Sequence, residues 1–85
     1  MKNFAIGIPT LNRADLLLPS LKKYINDFEG IQIHIVDNGN QGLEDLEKYD
    51  NVFVHTQSKN LGVAGSWNFL CDLIYDKHDW ALIIN

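Results

Sequence analysis

Apolar positions along this chain switch between strand-like runs and helical spacing. Phe4-Ala5-Ile6-Gly7-Ile8 is short, apolar and stopped by Pro9, which predicts a buried strand. Leu17, Leu21, Tyr24, Ile25 and Phe28 then fall at i, i+4, i+7, i+8 and i+11, one continuous helix face. Pro19 sits inside that pattern and leaves two readings open. Either Asp15 is the N-cap and Pro19 the fourth helical residue, or a turn covers 13–17 and the helix starts at Leu18 or Pro19. Gly30 ends the element. Residues 31–36 alternate, become fully apolar and stop at Asp37-Asn38-Gly39, a strand and its turn. Leu43, Leu46 and Tyr49 suggest a short acidic helix over 41–48, and Val52–Thr56 a short, partly polar edge strand. Val63, Trp67, Leu70, Cys71 and Ile74 give a second long helix with Trp67 and Cys71 on its core face. After the turn Lys77-His78-Asp79, residues 80–84 read as a fourth strand, buried and apolar.

The order βαβαβαβ implies an α/β fold: a mostly parallel sheet, right-handed crossovers and helices on both faces. At 85 residues the chain is one small domain or part of one. Its fourth strand runs out at Asn85, where an α/β enzyme places chemistry, so residues 1–85 are expected to be the N-terminal piece of a longer domain. Such a piece is expected to be marginally stable or to self-associate through exposed strand edges.

Net charge is −4, with scattered acids and no basic run, which argues against nucleic acid as a partner. An anionic ligand would therefore rely on local donors. Cys71 is the only cysteine, so no disulfide can form within the chain, and a buried, unreactive thiol is expected. No apolar run approaches the roughly 20 residues of a membrane span, and the apolar start before Pro9 is too short for a signal peptide. The expected location is cytoplasmic, with membrane association only through other regions.

Candidate chemistry gathers where strands end. The first strand end carries Pro9-Thr10-Leu11-Asn12-Arg13, the second Asp37-Asn38-Gly39. The third is followed by Lys59 and by Asn60-Leu61-Gly62-Val63-Ala64-Gly65-Ser66-Trp67-Asn68, a small-residue loop opening a helix. Ligands in open α/β sheets bind outside the carboxyl ends of strands, and amides at a helix start can face an anion. Each cluster also has a plain structural reading. Asp37 makes either an Asx-turn or an acceptor for a base or ribose. Asn12 is either an N-cap or a site residue, and Arg13 is either solvated or on a phosphate. Asn60 and Gly62 form a turn, and Ala64, Gly65 and Ser66 are small for close packing, unless a ligand approaches there. Asn68 is off the apolar stripe, exposed or aimed at the ligand. His34, His55 and His78 lack metal-ligand spacing. No Walker A sequence, G-x-G-x-x-G or nucleophile elbow is present.

In this order, Phe4 to Arg13, Ile35-Val36-Asp37-Asn38-Gly39, Asn60 to Asn68 and Trp80 to Asn85 resemble the N-terminal half of a GT-A-fold, family 2-like glycosyltransferase. The resemblance implies a Rossmann-like sheet gripping a nucleoside-diphosphate sugar, with UDP favoured. By similarity Pro9 and Thr10 line the base and ribose pocket, beside Asn12 and Arg13. Asp37 accepts from the base with Asn38 next to it. Lys59, Asn60 and Gly62 border base and phosphates, and Asn68 the donor site. The family holds a divalent cation, Mn²⁺ or Mg²⁺, with an Asp-x-Asp motif; Asn85 stands where its first Asp is expected. The implied reaction is sugar transfer to an acceptor hydroxyl, with no catalytic residue among these 85. The competing readings are a non-catalytic α/β nucleotide-binding or interaction module and a nucleotidyltransferase-like domain. The second wants a glycine- and basic-rich loop after the first strand, where this chain has no glycine.

Overall fold

The chain forms β1 (Phe4–Thr10), α1 (Ala14–Asp27), β2 (Ile33–Asp37), a 3-10 helix (Glu44–Lys48), β3 (Val52–Thr56), α2 (Gly62–Tyr75) and β4 (Trp80–Ile83). This computed structural model describes residues 4–10, 14–39 and 42–84. The strands make one parallel sheet in the order β3-β2-β1-β4. Connections from β1 to β2 to β3 step one way across the sheet; the crossover from β3 to β4 returns past both. Right-handed crossovers in opposite directions put their helices on opposite faces.

Residue alternation in the strands shows the two layers. Ile6, Ile8, Ile33, Ile35 and Val52 pack with Leu17 and Leu21 of α1 and with Ile31 and Leu43 into the main core. Ala5, Gly7 and Val36 face the other way, toward α2, whose Leu70 and Ile74 are fully buried. A Cβ on Gly7 would lie 3.0 Å from Ile83 Cδ1 and 3.1 Å from Leu70 Cδ1, so the missing side chain lets α2 settle onto the sheet.

Both prolines sit deeper in their elements than expected. β1 continues through Pro9 to Thr10. Ile6 N–H bonds Gln32 and Thr10 C=O accepts from Asn38, both on the β2 side, whereas Gly7 C=O accepts from Ile84 on the β4 side. Pro9, an odd-numbered position like Gly7, turns its missing N–H toward β4, whose pairing with β1 ends at Gly7–Ile83. The proline thus removes no ladder bond. α1 starts at Ala14, so neither proposed start holds, and Pro19 is its sixth residue. One helical bond, to the carbonyl of Asp15, is lost there, and burial of Leu17 and Leu21 against the sheet offsets it. The helix ends at Asp27, before the expected stop; Gly30, at φ 82°, instead shapes the following turn, which Ile31 N–H closes on Phe28 C=O at 3.0 Å.

Three further expectations need correction. The short helix is a 3-10 helix confined to Glu44–Lys48. The buried face of α2 runs through Ser66, Leu70 and Ile74, while Trp67 is 42% exposed and Cys71 only half-buried. The side chain of Val63 lies outside the described residues. β4 is not a buried strand: Trp80 is 70% and Leu82 42% exposed. These two share the α1 face of the sheet, but α1 sits over β1 and β2, so only Ala81 and Ile83 on the α2 face find partial cover. Among the described residues no helix is long and apolar enough to cross a membrane.

Candidate functional site

The carboxyl ends of β1, β2 and β3 lie side by side, with Thr10 opposite Asp37 and Asp37 opposite Thr56. Backbone bonds continue the pairing past the strands: Asn38 N–H donates to Thr10 C=O at 3.0 Å and Gln57 N–H to Asp37 C=O at 2.9 Å. Thr10 and Asp37 share the α1 face and are both buried. Asp37 Oδ1 accepts from Gly39 N–H at 3.2 Å, so the Asx-turn is formed.

Asn38 points to the opposite face. Its Nδ2 donates to Ser66 Oγ at 2.9 Å, and its Oδ1 accepts from Leu61 N–H at 3.0 Å. Asn60 Oδ1 accepts from Gly62 N–H at 2.8 Å. Gly62 has φ +74°, a backbone shape side-chain-bearing residues rarely adopt. Two of the amides that a bound anion could have faced are therefore already taken by asparagine side chains. Lys59 and Asn60 are exposed just ahead of α2.

Pro9, Thr10, Asp37, Asn38, Asn60 and Gly62 are thus brought to one end of the sheet, with Lys59 on the adjoining loop. Asn68 is not brought in: it is exposed, two residues from buried Ser66 and so about 200° around the helix from it. Asn12, Arg13 and Asn85 lie outside the described residues. Ser66 is the residue whose role the sequence did not reveal. Its signal was the spacing of four and eight residues to Leu70 and Ile74, which puts its hydroxyl on the sheet-facing side.

The histidines lie elsewhere. His34 Nδ1 and His55 Nε2 are 3.1 Å apart, and His34 Nε2 is 3.1 Å from Gln32 Oε1. With the Gln32 oxygen as acceptor, His34 carries its proton on Nε2 and its Nδ1 accepts from His55. Phe53 stacks on His34 at 5.0 Å, and Phe69 meets His55 edge-on at 5.6 Å. Burial, then His55 and His78, lower the His34 pKa from 6.5 to about 4. Burial lowers His55 too, against the pull of Glu47. His34 is the second residue of β2, and His55 the last but one of β3; both rings lie on the face opposite Thr10 and Asp37. An open hollow is lined by Phe69, Asp72, Leu73 and Asp76 along the C-terminal half of α2.

The parallel sheet, its two helical layers and the polar cluster at its carboxyl edge define a Rossmann-like α/β domain. The chain belongs to glycosyl transferase family 2, whose family model matches residues 5–84. No curated protein and no solved structure matches it. Membership supports glycosyl transfer in general and implies a nucleotide-sugar donor. The family generally uses a divalent metal. Among the described residues no group of three or more His, Cys, Asp or Glu side chains fits such an ion.

Proposed function

We propose that the carboxyl edge of this sheet binds the nucleotide of a nucleoside-diphosphate sugar, and that the chain supplies donor recognition for sugar transfer to an acceptor hydroxyl. The observation that carries the reading is the convergence of Thr10, Asp37 and the Asn60–Gly62 loop at one sheet end in a family 2 chain. Asp37, held by its own turn, accepts from the base, with Pro9 and Thr10 alongside and Asn12 and Arg13 following them. Lys59, outside the sheet edge, is the cation for the diphosphate. UDP is the favoured nucleotide, and the cytoplasm the proposed compartment.

In the transfer, the bond from the anomeric carbon to the leaving diphosphate oxygen breaks. A new bond forms to the acceptor oxygen, whose proton passes to a base. We assign neither that base nor any cation on the diphosphate to the residues gathered at this edge, whose proposed part is donor binding.

Calorimetric titration with UDP, GDP and dTDP, with and without Mn²⁺, tests this. Saturable UDP binding weakened about tenfold or more in Asp37→Asn, the loss of one charged hydrogen bond, supports the reading. A folded chain that binds none of the three contradicts it.

A further inference from the structure

Resting on that reading, we infer that Asn38 and Ser66 form a positioning clamp for the donor-binding loop. Neither touches the donor; together they set where the start of α2 stands relative to Asp37.

Asn38 is 7% exposed and Ser66 fully buried. The Asn38 carboxamide uses both of its ends inward, Nδ2 on Ser66 Oγ and Oδ1 on Leu61 N–H. Both of its polar ends are thus engaged within the protein. These two bonds span 28 and 23 residues of sequence. They join the end of β2 to both the second turn of α2 and the loop before it.

Asp37 and Asn38 diverge to opposite faces, so one two-residue step fixes the nucleotide side and the loop side at once. The loop needs such a tie. Its own bond, Gly62 N–H to Asn60 Oδ1, only shapes the turn, and α2 has no side-chain cap of its own. A loop displaced by an ångström would carry Lys59, Asn60 and Gly62 away from Asp37, and positional errors of that size matter in a binding constellation.

The test compares Asn38→Ala, Ser66→Ala and the double variant by UDP titration well below each melting temperature, alongside amide exchange at Leu61. Asn38→Ala is expected to weaken UDP binding about tenfold and to speed Leu61 exchange at least tenfold. Ser66→Ala is expected to do less, and the double variant to match Asn38→Ala, because the two side chains act as one unit. Asn38→Asp keeps an acceptor oxygen and is expected to restore Leu61 protection. A purely structural role would lower melting temperatures while leaving UDP affinity intact. Unchanged affinity in folded Asn38→Ala therefore overturns the inference, as does a wild-type Leu61 amide that exchanges as fast as in Asn38→Ala. Absence of UDP binding by the wild-type chain instead overturns the nucleotide-site reading, and this role with it.

Discussion

Lowering the pH should destabilise this protein through His34. The ring is 8% exposed, stacked on Phe53 and hydrogen-bonded to His55 and Gln32. Its pKa falls from 6.5 to about 4 on folding, by burial first and then by His55 and His78. The unfolded chain therefore takes up the proton before the folded one. The stability held by neutral His34 is complete above 6.5, drains as pH falls, and is gone below about 4. At about 1.4 kcal/mol per pH unit that interval has a ceiling of about 3.5 kcal/mol, with about 2 kcal/mol lost by pH 5. For a domain of this size that is a large share of the total. His55, also lowered by burial, adds in the same direction, and Glu47 opposes it. The assay is urea denaturation from pH 8 to 4.5 on the wild type and on His34→Phe, which removes the titrating ring but keeps a planar apolar side chain. The wild type should lose stability steeply between pH 6.5 and 5, and the variant should be much flatter there. Equal slopes would show that His34 does not carry the loss and that acid groups elsewhere do.

Gly7→Ala should cost about 1–2 kcal/mol, since its Cβ would meet Ile83 at 3.0 Å and Leu70 at 3.1 Å. Denaturation curves superimposing on wild type would show that α2 is not held that close. Leu70→Ala, at a fully buried α2 position, should cost about 2–5 kcal/mol, and a loss below about 1 kcal/mol would mean the α2 layer packs loosely. Replacing exposed Trp80 and Leu82 together with Thr should reduce self-association in sedimentation velocity; an unchanged concentration dependence would assign any association to another surface.

The sheet was legible because each strand is a short apolar run ended by a polar cluster, and parallel order follows from alternation with helices. The α1 face was legible too, since Leu17 and Leu21 pack where their spacing puts them. What local pattern does not carry is pairing between distant residues. Ser66 reads as a polar interruption until Asn38, 28 residues away, occupies its hydroxyl, and without that partner the α2 stripe is drawn toward Trp67. β4 reads as buried because it is apolar, yet burial depends on which helix reaches it, and α1 lies over β1 and β2. Pro9 reads as a stop because composition does not show which neighbour its nitrogen faces. In the candidate site, residue types and strand-end placement were legible. The outward turn of Asn68 follows from its place off the apolar stripe, whereas the ties of Asn38 to Ser66 and Leu61 depend on tertiary contacts.

The carboxyl edge of the sheet is proposed to be a nucleotide site. The most direct test is a UDP titration of the isotopically labelled chain followed by NMR. Saturable shifts are expected at Thr10, Asp37, Gly39 and Lys59 to Gly62, with His34, Phe69 and Leu73 unmoved. Shifts centred on the Phe69–Leu73 side of α2, or none from a well-dispersed folded spectrum, would contradict it.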